Sequence, residues 1–551
     1  MKTALNQKFG TMNRERMNIK PIHSGAFHCE QDLIAMVAKW QGLDFEFMFV
    51  KNWGFNYRPG NEGLFCDKID GDLGDEQSEL LKYHGIQLVK EEAITAEQIL
   101  NRVKQELNSG YPVPVLMDTF WCPWDAGFQK LGHDAEHFLV MVGLDQENER
   151  FYCVDTIYMK YWEPLPLEFF FKGQRGICGR FVFSEPLVKE IEWRSIILDA
   201  VARLYSKEEF GNAFEAMRCF ADDLTKEFDI AKEIQGYRNF LRAKIYRQVF
   251  EIARGRKQFA KSLEYLAKKL NLGTLGKLAE ELERAGSKWE SVRAMLLKMH
   301  KMYTREALMG KIVKIIREAA DEEERIAQQL LIICRNKELP ERIKPGPINQ
   351  TVSRIPEKKI RNLSGGIEPL DLAVYFNNHG CGSNHFGNCQ ADLNGLQEFF
   401  LGESMPKNGI FEVAGMKFLF PSLDDGINDN ISCLSQVIAV KQGQYSRIMF
   451  LGCADEGSFS EPVVILYEGG AVEEFYLNLS CWWLYPDYGE MIAWEGRFAT
   501  RTIDKVHVAP NRGRLYAQDY KLNQTKVVVG IKLPENMNMH LFAISLQMGI
   551  H

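Results

Sequence analysis

Between residues 187 and 336 the chain changes texture, and that change limits what it can fold into. Glycine becomes sparse, Lys, Glu, Ala and Leu dominate, and apolar residues recur every three or four positions. Phe210, Phe214, Met217, Phe220, Leu224 and Phe228 fall on one helical face. Leu308, Ile312, Ile315, Ala319, Ile326, Leu330 and Ile333 mark a second long helix. The flanking stretches show neither feature. A chain of 551 residues also exceeds one core, since cores stop growing at roughly 250–300 residues. The expected organisation is a multidomain α+β protein. An N-terminal domain (1–186) mixes helix and strand signals, and an α-helical domain (187–340) of about five helices follows. The segment ELPERIKPGPINQ then breaks helix formation with its prolines and reads as a linker. Over 353–551 short apolar runs such as FEVAGMKFLF, PVVILYEGG and HLFAISL alternate with Gly- and Asn-rich turns, the pattern of a β-sandwich.

Composition narrows the function classes. A net charge of -7 and a pI near 6.0 weigh against a nucleic-acid partner. No apolar run reaches the ~18 residues of a membrane span. The first twenty residues, MKTALNQKFGTMNRERMNIK, lack the apolar centre of a signal peptide. The expectation is a cytoplasmic protein whose thiols stay reduced. Its 12 cysteines are scattered and none form a CxxC pair. Most read as small buried apolar residues, with one available for chemistry.

That one is Cys29. It lies in HSGAFHCEQDLIAM, where the helical pattern starts just after the cysteine. Unpaired N–H groups at a helix start favour a thiolate, which is the reactive form, and can hold an oxyanion. A base is found in HFLVMVGLDQENERFYCVDT. His137 heads one strand, DQENER turns the chain, and Asp155 closes the returning strand. At the open end of such a hairpin Asp155 can reach His137, fix its tautomer and support its charge. His133 competes for the role of base, but His137 stands where the strand begins. His28 reads as a packing or polarising residue, Glu136 as solvent-facing, and Asp118, ending the strand PVPVLMD, as a secondary polar group of mainly structural value. The prolines of that strand suit a sheet edge.

The segments HSGAFHCEQDLIAMVAKWQG, WGFNYRP, YPVPVLMDTF and HFLVMVGLDQENERFYCVDT together resemble the N-terminal domain of butirosin biosynthesis protein H, over roughly residues 15–185. The resemblance implies a papain-like fold, similar to bacteriocin-processing cysteine peptidases. It also implies transfer of an aminoacyl or peptidyl group from a carrier-protein thioester to an amine, in natural-product assembly. Cys29 would be acylated, His137 would serve as base and acid, and Asp155 would orient it. Papain-like enzymes often carry an oxyanion-binding glutamine six residues before the cysteine; here that position is His23. The implied partners are an acyl or peptidyl carrier protein, or a peptide synthetase, and a small amine. No cofactor is expected beyond the phosphopantetheine arm that presents the substrate. Spacing alone does not separate a transferase from a cysteine peptidase, amidase or thioesterase, or from an inactive carbohydrate-binding scaffold.

The segments from LAVYFNNHGCGSNHFGNCQADLNG to KLPENMNMHLFAISLQ resemble an accessory jelly-roll-like β-sandwich found fused to bacterial glycosidases and other enzymes. Trp482 and Trp483 could stack on a ligand but are more often core. His379, Cys381, His385 and Cys389 lack zinc-site spacing and read as a surface loop, so no metal is expected. RGRKQFAKS (254–262) and KKLNLGTLGK (268–277) offer positive charge for docking an acidic carrier protein, and the helices could also hold a homodimer.

Overall fold

The computed structural model describes residues 16–60, 63–92, 94–125, 128–129, 133, 136–206, 211–237, 242–299, 305–344, 366–385, 389–424, 426–502 and 505–549. Phe210 and residues 345–365, which include the final PGPINQ of the expected linker, lie outside them.

Helix α1 (Cys29–Trp40) opens the N-terminal region. The small strands β1 (Asn56–Tyr57) and β2 (Ile69–Asp70) follow, with helices α2 (Phe65–Lys68) and α3 (Glu76–His84). The main sheet is antiparallel, built from β3 (Ile86–Glu91), β4 (Val113–Asp118), β5 (Glu136–Asp145), β6 (Arg150–Asp155), β7 (Lys160–Pro166) and β8 (Gln174–Phe183). Its spatial order is β3-β8-β4-β5-β6-β7. Side-chain alternation gives each strand two buried faces. Val140, Val142, Val154 and Phe181 meet α1. Leu139, Met141, Phe151 and Cys153 meet α4 (Ala96–Asn108) and α5 (Leu167–Gly173). One expectation fails here: the proline-bearing strand is β4, which lies inside the sheet. Pro114 is tolerated because pairing with β8 begins only at Val115 and breaks again before Met117.

The helical region comprises α6 (Trp193–Tyr205), α7 (Ala213–Glu227), α8 (Ile230–Glu233), α9 (Lys244–Leu270), α10 (Gly273–Met299) and α11 (Arg305–Arg335). Phe214, Met217, Phe220 and Leu224 of α7 are buried on one face, as their spacing requires. Asn212 caps α7 and Asn271, left-handed at φ 51°, ends α9. This region does not own its core. Trp53, Phe55 and Tyr57, from the WGFNYRP segment, insert into it. Their ring centroids lie 5.2 Å from Phe259, 5.5 Å from Trp289 and 5.4 Å from Phe220. At the centre the Glu323 carboxylate accepts from the Trp53 indole (2.8 Å), the Trp289 indole (3.2 Å) and Arg256 Nε (3.0 Å), all buried. A buried charge so far from water persists only with its hydrogen bonds filled.

The C-terminal region is a β-sandwich. One sheet carries the long strands Tyr445–Ala454, Met491–Arg501, Val506–Lys521 and Met539–Met548. The facing sheet holds Val437–Gly443, Phe459–Tyr467, Val472–Leu479 and Val528–Lys532. Ile448, Phe450, Ile544 and Leu546 pack against Val463, Ile465 and Leu477 between them. The sandwich seats on α10 through buried polar contacts, chiefly Lys298 Nζ to Asp455 Oδ2 (2.8 Å) and the Asn536 amide to Ser291 Oγ (3.1 Å).

Two surface readings are overturned. Arg254, Arg256 and Lys257, taken as an exposed docking face, are buried and matched by Glu251, Glu323 and Glu290. Cys381 and Cys389, read as loop residues, are buried as well. No described helix is long and apolar enough to cross a membrane.

Candidate active site

Of the 12 cysteines, ten are buried; Cys29 and Cys219 are partly open. Burial, then the Asp223 and Asp222 carboxylates, push the Cys219 thiol up, which suppresses a thiolate there. Cys29 occupies the first turn of α1, directly after the cap residue His28. His28 Nδ1 accepts from the Gln31 N–H while Gln31 Oε1 accepts from the His28 N–H, so the helix start is closed by a reciprocal box. A helix end contributes only about 0.3–1 kcal/mol to a nearby anion, less than the ~1.4 kcal/mol of one pKa unit. The helix alone therefore does not make the nucleophile; a base must.

His137 and Asp155 stand at the open end of the β5–β6 hairpin, where Val140 pairs with Val154. The His137 Nε2–H donates to Asp155 Oδ1 at 3.0 Å, and both residues are buried. Asp155 is itself fixed by the Trp124 indole N–H (2.8 Å) and the Tyr158 N–H (3.1 Å). This leaves His137 Nδ1 buried with no fixed partner, and Cys29 lies close enough to act on the charge of the ring. Burial opposes protonation of His137. Asp155, by charge and hydrogen bond, and then Cys29 overrule it and raise the imidazolium to about 10. Burial likewise opposes the Asp155 anion, but His137 and the Trp124 bond hold the carboxyl below its usual range. The structure thus brings together Cys29, His137 and Asp155.

His23 is close by, with a definite polarity. Its Nδ1–H donates to Asp32 Oδ2 at 2.8 Å, which leaves Nε2 buried and without a partner. Burial disfavours its charge, but the hydrogen bond and charge of Asp32, then Asp487 and Asp155, raise its pKa. Asp118 is not part of this group. Its oxygens accept from the Phe120 N–H (3.0 Å), His133 (2.7 Å) and Arg175 (2.7 Å). That bond also engages His133, the rival base. Glu136 is exposed beside Arg175.

Sequence reasoning missed the residues that hold the loop ahead of Cys29. Asp32 accepts the Ser24 N–H (3.1 Å), Gln258 of α9 donates to the Ala26 carbonyl (2.9 Å), and Asp487 of the sandwich accepts the Gly25 N–H (3.1 Å). A Cβ at Gly25 would come 3.2 Å from Asp487 Oδ2, a tight approach that the carboxylate would have to relieve. Asp32 was findable as the lone charge just before the apolar run from Leu33 to Ala38. Gln258 and Asp487 carry no local signal. Trp482 is buried, edge-on to Phe498 (4.5 Å, 85°), whereas Trp483 is 42% exposed. Among the described residues no three of His, Cys, Asp and Glu converge as a metal-ligand set.

No curated protein matches the chain. Two known families do, each over one part of it. The first match begins one residue before Cys29 and ends one residue after Asp155, so it encloses all three side chains while leaving His23 outside. Residues 28–156 match the family described as butirosin biosynthesis protein H, N-terminal, and residues 367–549 match the AziU2-like beta-sandwich domain family.

Proposed function

We propose that the protein is a cysteine-dependent acyltransferase. It would move an aminoacyl or peptidyl group from a carrier-protein thioester to an amine through an acyl-Cys29 intermediate. The observation that carries this reading is the buried His137 ring, bonded to Asp155 through Nε2 and close enough to Cys29 to feel its charge.

His137 holds the Cys29 proton as imidazolium, and the thiolate of this pair attacks the thioester carbonyl. The new C–S bond forms, the carrier's C–S bond breaks, and the imidazolium returns its proton to the departing carrier thiol. The amine then attacks the acyl-enzyme: a C–N bond forms, the Cys29 C–S bond breaks, and the amine's proton passes to the Cys29–His137 pair. Developing oxyanions would be met by the Cys29 N–H and by the Nε2–H of a His23 imidazolium, which Asp32 and Asp487 favour. A thioester donor and a cysteinyl acyl-enzyme are close in energy, so the first step needs no external drive. The resemblance to a biosynthesis domain and the family match over 28–156 favour transfer. A cytoplasmic setting and the carrier protein as partner belong to the same proposal.

Intact-mass spectrometry after incubation with an acyl N-acetylcysteamine thioester tests it. The expected result is one acyl adduct, absent in Cys29→Ala and discharged by added amine. Discharge at the same rate without amine would make the protein a hydrolase, and no adduct at all would remove its catalytic role.

A further inference from the structure

A cavity of about 450 Å³ lies where the three regions meet. One wall is the loop His23–Phe27 leading into Cys29, with Ile157 just past Asp155. A second comes from α9 and α10 (Phe250, Lys257, Glu290, Arg293) and the third from the sandwich. Its body is aromatic: Phe27, Phe250, Trp482, Trp483 and Phe498 line it. Trp482 is 1% exposed, yet its indole N–H has no partner. A buried donor left open on a cavity wall suits a ligand that supplies an acceptor.

The carboxylates Glu290, Glu398, Glu456 and Asp487 face the permanent cations Lys257 and Arg293. Lys257 is matched by Glu290 at 2.5 Å, and Arg293 lies 5.0 Å over the Phe250 ring while donating to the Glu456 carbonyl. Asp487 accepts from two neutral donors, the Gly25 N–H and the Ser458 hydroxyl. Burial raises Glu456 to about 7 and Glu290 above the usual carboxylate range, so the negative charge facing the cavity centres on Asp487. Low-dielectric walls focus that charge on an incoming cation.

We propose that this junction cavity is the acceptor site, and that it takes a primary amine, held as ammonium until one of the lining carboxylates takes the extra proton and frees the nitrogen to attack, on an aromatic body that carries an oxygen acceptor. The inference rests on the acyl-transfer reading: the donor arrives tethered to its carrier, so the free acceptor is what the cavity itself must recognise. On this account the sandwich is a wall of the reaction chamber.

Calorimetric titration of the full chain with tyramine, and with 4-hydroxyphenylacetate as its anionic counterpart, tests the proposal. Tyramine should bind one to one and the acid about tenfold more weakly or not at all. Asp487→Asn keeps an acceptor for Gly25 but removes charge. It should weaken tyramine about tenfold while leaving the neutral 4-ethylphenol unchanged. Trp483→Ala should weaken both and Trp483→Phe neither, with melting midpoints confirming that each variant is folded. Equal affinity for amine and acid, no binding of tyramine, or indifference to both substitutions would overturn the assignment. Acylation of Cys29, read by mass in the same preparations, separates the two claims. An acylated Cys29 with no tyramine binding defeats the cavity assignment alone. Tyramine binding without any acylation defeats acyl transfer and leaves a cation site.

Discussion

His137 and Asp155 hold opposite charges in a place nearly closed to water, so their pairing must show in the pH dependence of stability. The folded imidazolium persists to about pH 10, against 6.5 for a free ring. A raised folded pKa stabilises fully below 6.5, and that contribution is lost as pH rises through 10. The stability gap between the native protein and Asp155→Asn should therefore be widest near pH 6 and shrink toward pH 10, as read from urea midpoints. A gap that grows with pH would contradict the assignment. The same substitution should lower turnover by about 10²–10⁴-fold. His23 offers a second check. His23→Ala removes a buried N–H and should lower kcat by about 10²–10³-fold with little change in KM. His23→Gln, which restores a donor, should recover much of it. Loss of activity in both alike would assign His23 to holding Asp32 rather than to the oxyanion.

Helix α9 joins the catalytic part to the rest, and its sequence looks wrong for that task. Arg254, Gly255, Arg256, Lys257 and Gln258 read as a solvated basic face with a flaw in it. In the fold each is an interface residue. A Cβ on Gly255 would come 2.3 Å from the Asn52 carbonyl and 2.8 Å from Leu73. Alanine is intrinsically better in a helix by about 1 kcal/mol, yet the collision decides. Gly255→Ala should cost about 1–3 kcal/mol in chemical denaturation; a stabilised variant would refute the close approach. The contrast with the β5–β6 hairpin explains what was legible. The register that brings His137 to Asp155 is written locally, in two apolar runs around one polar turn. The partners of Arg256 and Lys257 lie 67 and 33 positions away. No window on the sequence distinguishes such paired charges from wet ones.

The whole molecule behaves as one body assembled from three textures. The change of texture near residue 187 was readable, because it alters local periodicity. The core that crosses it was not, because Trp53, Phe55 and Tyr57 meet rings more than 160 positions later. The same holds for the sandwich, whose fold is legible in its strands while its seat on α10 is not. Lys298 is the test of that seat. Its ammonium and Asp455 are 6% and 0% exposed, and stripping a buried anion of its cation costs about 3–5 kcal/mol. Lys298→Met should split a single thermal unfolding transition into two, the sandwich melting apart from the rest; one retained transition would place the coupling elsewhere. Asp487 extends that coupling to the chemistry, since it fastens Gly25 from 462 positions away. During synthesis Cys29, His137 and Asp155 all emerge long before Asp487, which secures the loop ahead of Cys29. On the proposed function, a growing chain carries an unfinished site until Asp487 and the sandwich around it have folded.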